Sequence, residues 1–342
     1  MSAMNDNIKA MVMSAGMGSR LEPLTLAVPK PLVPIANKPV MSILFESLVS
    51  IGIKDVICNT YYLAEQIIEK YKKNDIGINF NYIKEENLSG TAGGVKKCQF
   101  FFESCKTFVV LSADGLTNAD LKKGIEIHKK SGAIATIGIK PIQKSEVSHF
   151  GVVVTDKNGF ITEFQEKPDI NEAKSNYINT GIYIFDYKIF DYIPENTFYD
   201  FAKNVFPKLL DEKTINTFEV NEYWSDIGTL DQYKQAAQDI YAGMYSFNHP
   251  PIIKTETGAY ICGKSKISEN AKFIGFSTIG TNSSIGKNTI IENSIIWDNV
   301  SIGDNLIIKD SIIPSCCKIE SNVISDVLPA NTVVKECVKS NT

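Results

Sequence analysis

The rhythm of hydrophobic and polar positions changes once along this chain. Over the first two-thirds, short apolar runs alternate with segments of helical spacing. Lys9–Ser14 (KAMVMS), Asp55–Asn59 (DVICN), Phe80–Ile83, Thr107–Ser112 (TFVVLS) and Ala133–Ile139 read as strands. Met41–Ser50, Ala64–Lys72 and Leu121–Lys130 read as helices. Such alternation predicts βαβ units, hence an α/β fold with a mostly parallel sheet. In sheets of this kind ligands bind outside the carboxyl ends of the strands.

Beyond about Tyr245 the rhythm becomes hexameric. Ile261, Ile267, Phe273, Ile279, Ile285 and Ile291 follow one another in equal steps of six. The phase then slips by one residue, and Ile296, Ile302 and Ile308 continue it. A helix repeats near 3.6 residues and a flat strand at two. A period of six fits short strands joined by turns, each strand sending one apolar side chain into a prism, which is a left-handed parallel β-helix. The Pro250–Pro251 pair marks a linker before it. The expected organisation is therefore a first domain over 1–245, a linker over 246–258 and a hexapeptide-repeat domain over 259–342.

Composition narrows the function. The 342 residues are 44% hydrophobic and 22% charged, with a formal net charge of −4. That balance suits an ordinary globular protein and gives no basic surface for nucleic acid or anionic membrane. No apolar run reads as a signal peptide or membrane span. Seven cysteines, none spaced as CxxC, argue against a disulfide framework or structural zinc and for a cytoplasmic setting.

Phosphate binding must then come from local design. Ala15-Gly16-Met17-Gly18-Ser19-Arg20-Leu21 follows the first strand, and Pro29-Lys30-Pro31 follows shortly after. Glycines there let the backbone approach a ligand, and their N–H groups cradle phosphate oxygens. Arg20 and Lys30 add the positive charge a triphosphate needs. The loop is neither GxxxxGK[ST] nor GxGxxG, because Leu21 stands where the third glycine would.

AGMGSRLEPLT with the following PKP resembles the signature loop of the nucleotide-sugar pyrophosphorylases, the sugar-1-phosphate nucleotidyltransferases. Further motifs resemble that family in the same order: SGTAGG at Ser89–Gly94, LSADG at Leu111–Gly115, HFGVV at His149–Val153, FQEKP at Phe164–Pro168, NTGIY at Asn179–Tyr183 and WSDIGT at Trp224–Thr229. Departures are Ala113 before the aspartate, where glycine is usual, Ala15 where many members have glycine, and Ser19 where many have threonine.

The resemblance implies a Rossmann-like α/β fold, its mostly parallel sheet sandwiched by helices, and transfer of a nucleotidyl group to a sugar 1-phosphate with release of pyrophosphate. It implies Mg²⁺ on Asp114 and Asp226, with Arg20 on the leaving pyrophosphate and Lys30 near the α-phosphate. Ala15, Gly16, Met17, Gly18, Ser19, Gly90 and Thr91 would bind the nucleotide. Lys167 would hold the sugar phosphate, Glu166 and Asn179 sugar hydroxyls, and Gly151 and Thr180 would line the sugar pocket. The base-reading position, five residues before Gly90, is Glu85, or Glu86 if the register moves by one. A carboxylate only accepts hydrogen bonds, which suits the N–H donors of guanine, so GTP leads; the resemblance then implies mannose 1-phosphate, the commonest partner of GTP in the family. Thymidylyl or uridylyl transfer to glucose 1-phosphate, guanylyl transfer to a heptose 1-phosphate, and a non-catalytic regulatory subunit are the alternatives. Hexapeptide acyltransferases use a histidine base, and His128, His149 and His249 all lie outside the repeats, so the β-helix reads as an assembly or regulatory domain and the chain as a homo-oligomer.

Overall fold

The computed structural model describes residues 7–247 and 252–335; Pro250–Pro251 of the expected linker, His249 and Cys337 lie outside the described residues. Contacts group the chain into two compact units. One comprises the residues up to Met17 together with Leu44–Asp226, the other Gly18–Ile43 together with the chain from Ile227 onward.

The first unit is built on nine strands: β1 (Lys9–Met13), β2 (Asp55–Thr60), β3 (Asn79–Lys84), β4 (Thr107–Ser112), β5 (Ala135–Pro141), β6 (Gly151–Thr155), β7 (Ile161–Glu166), β8 (Tyr177–Asp186) and β9 (Ile215–Glu219). Their order runs β7-β6-β8-β4-β1-β2-β3, with β5 pairing both β8 and β9. The β4-β1-β2-β3 portion is parallel throughout, whereas β8 runs antiparallel to β4, β5 and β6. The chain visits β2 and β3 on one side of β1 and then crosses to β4 on the other. That reversal leaves a crevice at the carboxyl ends of β1 and β4. Five successive residues of β4, Thr107–Leu111, are buried, as expected of a strand covered on both faces. Phe102, Phe108, Phe185, Phe201 and Phe206 anchor the core on one face.

Local signals fix the helices. Asp120 caps helix Leu121–Ser131 by accepting from Lys123 N at 3.0 Å, and Gly132 ends it in the left-handed region (φ 69°). A Cβ on Gly124 would stand 2.9 Å from Ile184 and 3.1 Å from Phe218, so glycine lets this helix lie close on the sheet. Ser89–Gly94, which the sequence suggests is a loop, instead opens helix Gly90–Lys97. Its glycines serve close approach: a Cβ on Gly90 would meet Tyr199 O at 2.4 Å, and one on Gly93 would meet Thr197 O at 2.8 Å.

The repeats of the second unit form a left-handed β-helix with three parallel faces. Ile261, Ile279, Ile296 and Ile313 stack on one face, Ile267, Ile285, Ile302 and Ile319 on the second, and Phe273, Ile291, Ile308 and Val323 on the third. The phase slip falls at the corner after Ile291, where Asn293 turns the chain at φ 46°. Asn270, Asn282, Asn288, Asn299 and Asn305 hold positive φ at other corners. Asparagine visits that region more cheaply than most residues.

His128 sits on helix Leu121–Ser131, buried, with Nδ1 2.9 Å from Thr136 Oγ1 of β5. Burial pushes its pKa down to about 4; Asp186 opposes the shift, and Lys129 and Lys106 add to it. A histidine held neutral by the fold supports stability fully above its unfolded pKa of about 6.5. That support is lost as pH falls from 6.5 toward 4, because the unfolded chain takes up the proton first. Denaturant titrations between pH 7 and 4 should therefore show a loss in wild type, up to ~3 kcal/mol, that His128→Gln lacks. Parallel pH profiles for the two proteins would show that His128 does not carry the effect.

Candidate active site

Asp114 leaves the end of β4 at the crevice. Ala113 N donates to Met13 O at 3.0 Å, joining the ends of β4 and β1. The chain then pairs Gly115–Thr117 with Trp224–Asp226, antiparallel, with Asp226 opposite Gly115. This short ladder brings the second aspartate beside the first, although more than a hundred residues separate them. Both line a cleft of about 240 Å³ with Thr91, Gly151, Glu166, Lys167, Asn179 and Thr180. Eight of the residues singled out in the sequence therefore meet in one place.

The cleft walls are held from behind. Thr180 is buried and donates to Gly138 O at 2.6 Å, so its hydroxyl is engaged within the sheet. Trp224 Nε1 donates to Thr180 O at 2.9 Å. Asn179 donates to the Tyr183 hydroxyl at 3.0 Å and accepts from Gly181 N at 3.0 Å, which fixes the orientation of its amide. Between Asn179 and Tyr183 the pairing with β5 shifts register, and Gly181 adopts φ +73° there, with room for no Cβ beside Ser112 Oγ. Lys167 also holds positive φ (48°), and its N–H donates to Phe150 O at 3.1 Å. Such backbone strain in a non-glycine residue accumulates at functional sites.

Electrostatically the cleft is acidic. Asp114, Glu166, Asp200 and Asp226 face one lysine, Lys167. Burial raises the pKa of the Tyr183 hydroxyl well above the tyrosine range, and the charges of Asp200, Glu166 and Asp114 raise it further. Two aspartates, one in the turn after β4 and one on the strand Trp224–Asp226, are a donor set for a hard cation that takes few protein ligands and completes its shell with water and phosphate oxygens. Among the described residues no group of three or more His, Cys, Asp or Glu side chains could hold an ion by itself. The two aspartates are thus a partial donor set of the kind a hard divalent cation takes.

Sequence reading missed Asp200. It caps the turn that follows it, accepting from Ala202 N at 3.0 Å, and it accepts from Thr91 Oγ1 at 2.9 Å. Thr91 Oγ1 in turn accepts from Phe201 N at 3.0 Å. Asp200 lies outside any of the motifs, and its Asx-type capping is the one signal the sequence offered.

Glu85 is not in the cleft lining. Its side chain is 1% exposed; Oε1 accepts from Asn59 Nδ2 at 2.7 Å, and Oε2 accepts from Ser89 Oγ at 2.5 Å and pairs with Lys97 Nζ at 3.2 Å. Asn59 also accepts from Ser14 N at 3.1 Å. The carboxylate thus ties together the segments that follow β1 and β3. A Cβ on Gly94 would stand 2.7 Å from Asn59 Nδ2, so that glycine leaves room for the network. Glu86 is exposed.

Ala15, Gly16 and Met17 follow β1 in the first unit, with Gly16 and Met17 exposed. Gly18, Ser19, Arg20 and Lys30 belong to the second. There Gly18 adopts φ 72°, and Thr25 Oγ1 donates to its carbonyl at 2.9 Å. A Cβ on Gly18 would press on Lys30 Cβ at 2.9 Å. Arg20 is exposed in the turn Ser19–Leu21, and Lys30 is half-buried.

Comparison with known proteins agrees with this geometry. The nucleotidyl transferase family model matches residues 9–243. A UTP–glucose-1-phosphate uridylyltransferase of Synechocystis is 38% identical, covering 84% of this chain and 82% of that enzyme. Mannose-1-phosphate guanyltransferase 2 of Candida glabrata is 33% identical, covering 78% and 73%. The solved structure of HddC from Yersinia pseudotuberculosis superposes with a TM-score of 0.59 at 26% identity, covering 68% of this chain and 99% of that one. The chain belongs to the nucleotidyl transferase family, among its sugar-1-phosphate nucleotidyltransferases.

Proposed function

We propose that the chain joins a nucleoside triphosphate to a sugar 1-phosphate at the cleft of Asp114 and Asp226, and that its natural pair is UTP with glucose 1-phosphate. The observation that carries the chemistry is the convergence of both aspartates with Glu166, Lys167 and Asn179 outside the ends of β1 and β4. The substrate pair draws support from the 38% identity over 84% of the chain to a uridylyltransferase. Guanylyl transfer to mannose 1-phosphate is the second reading, favoured by guanylyltransferase relatives at 32–33% identity. It loses its main argument from sequence, because the Glu85 carboxylate is already engaged by Asn59, Ser89 and Lys97.

An oxygen of the sugar phosphate attacks the α-phosphorus. A new P–O bond forms as the bond from the α-phosphorus to the α,β-bridging oxygen breaks, and pyrophosphate leaves with that electron pair. No proton need move, so positioning and charge neutralisation dominate. Asp114 and Asp226 would hold Mg²⁺, which when bound neutralises phosphate oxygens. Lys167 meets the charge of the sugar phosphate, while Glu166 and the oriented Asn179 amide bind sugar hydroxyls. Gly151 admits the ring, and Thr180 lines the sugar pocket beside Asn179. Thr91 and Gly90 flank the nucleotide, and the N–H groups of Ala15–Ser19 cradle its phosphates. By their place in the signature loop, Arg20 stabilises the departing pyrophosphate and Lys30 the α-phosphate. Among the described residues no helix is long and apolar enough to cross a membrane; we place the reaction in the cytoplasm because the scattered cysteines suit a reducing compartment.

Pyrophosphate release with Mg²⁺, across four nucleoside triphosphates and several sugar 1-phosphates, tests the pair. UTP with glucose 1-phosphate should lead; GTP with mannose 1-phosphate in the lead would establish the second reading. Asp114→Ala and Asp226→Ala should each lower turnover roughly a hundredfold or more while the unfolding midpoint holds. Near-normal turnover in both would remove them from the metal site. Glu85→Gln should lower activity with every triphosphate alike, and a changed order of preference among the bases would restore Glu85 as the base reader.

A further inference from the structure

The segment that carries Arg20 and Lys30 is tied to the β-helix by the buried hydroxyl of Tyr233 and by Asn37. Tyr233 lies on helix Leu230–Tyr241, seven residues after Asp226 in sequence, and its side chain is fully buried. Its hydroxyl accepts from Trp297 Nε1 at 2.8 Å and donates to Pro34 O at 2.9 Å. Trp297 follows the Ile295–Ile296 strand of the β-helix and is also buried. Pro34 opens a two-strand hairpin, Pro34–Ile35 with Lys38–Pro39, whose turn residues Ala36 and Asn37 hold positive φ. Asn37 Nδ2 reaches Thr281 Oγ1, a β-helix corner, at 3.4 Å.

From the hairpin the path to the proposed phosphate-binding groups is short and stiff. Val33 N donates to Lys30 O at 3.1 Å, and Leu32 N to Pro29 O at 2.8 Å, closing a tight turn over Lys30–Leu32. Lys30 packs against Gly18, whose carbonyl takes both Thr25 Oγ1 and Leu21 N. A displacement of Pro34 is therefore passed to Lys30 and to the turn bearing Arg20. Both partners of the Tyr233 hydroxyl sit in or beside buried structure, and losing the hydroxyl leaves two polar groups without it.

We propose that Tyr233 is a positioning residue: through its hydroxyl the β-helix holds the Gly18–Pro34 segment in its working shape, which makes the repeat domain a part of triphosphate binding as well as a scaffold. The inference rests on the functional reading in so far as Arg20 and Lys30 bind the triphosphate. It separates Tyr233 from residues that only stabilise the fold by where its effect falls.

Tyr233→Phe keeps the ring and removes the bridge, and Trp297→Phe removes the donor while leaving Tyr233 its bond to Pro34. Two measurements on the full chain apply. In native hydrogen exchange, Tyr233→Phe should speed exchange several-fold at the amides of Leu21, Leu32 and Val33, with the β-helix amides of Ile285 and Ile302 unchanged. In steady-state kinetics, kcat/KM for the triphosphate should fall roughly tenfold, the size expected when a buried bridge is broken, with KM for the sugar phosphate moving by less than about twofold. Trp297→Phe should act in the same direction, and the double variant should add little to Tyr233→Phe, because both act through one hydroxyl. Unchanged exchange at those three amides overturns the proposal, as does an equal rise across the β-helix coils or an equal loss for both substrates. If wild type turns over no substrate pair, the functional reading fails by itself, and the exchange pattern alone decides the role of Tyr233.

Discussion

The site depends on one topological constraint. Parallel strands must be joined by crossovers, and here the crossovers go to one side of β1 and then to the other. The chain therefore leaves the ends of β1 and β4 in opposite directions, which opens a crevice between them. The hydrogen bond from Ala113 to Met13 holds the two strand ends together at that place. Asp114 is the next residue. Trp224–Asp226 is delivered by a three-residue ladder onto Gly115–Thr117. The antiparallel strand β8 adds Asn179 and Thr180 through its irregular pairing with β5, and the β6–β7 hairpin adds Gly151, Glu166 and Lys167. Three carboxylates, a lysine and an oriented amide thus arrive from several elements that strand pairing holds in register.

Much of this was legible from residues alone. The strands that carry the crevice are continuous apolar runs, and period alone marks them; the observed β4 spans the same Thr107–Ser112 that the run predicts. The hexapeptide period was legible down to its phase slip, since each core position is a bulky apolar residue held to a fixed step by the coil length. The helical state of Gly90–Lys97 was not. Glycine content normally argues against a helix, but Gly90, Gly93 and Gly94 are there because Tyr199, Thr197 and Asn59 come too close for a Cβ. That is a tertiary demand with no local signature. Asp200 was illegible for a similar reason: its tie to Thr91 joins residues 109 apart.

Glu85 shows where motif spacing stops being informative. Spacing places a carboxylate beside the second glycine segment, and the structure does so. Spacing says nothing of Asn59, Ser89 and Lys97, which approach from other elements and occupy both oxygens. A buried carboxylate must have such partners, because leaving it unpaired is far more costly than exposing it. Its role in holding the segments after β1 and β3 follows from that need.

The most direct test of the central claim follows the phosphorus atoms. The enzyme is incubated with Mg²⁺, glucose 1-phosphate and UTP labelled at either the α- or the γ-phosphate. Transfer at the Asp114–Asp226 cleft predicts that the α-label appears in a sugar nucleotide and the γ-label in pyrophosphate, with both signals lost in Asp114→Ala. Release of the γ-label as orthophosphate, or recovery of the α-label only as a nucleoside monophosphate, would contradict nucleotidyl transfer to the sugar.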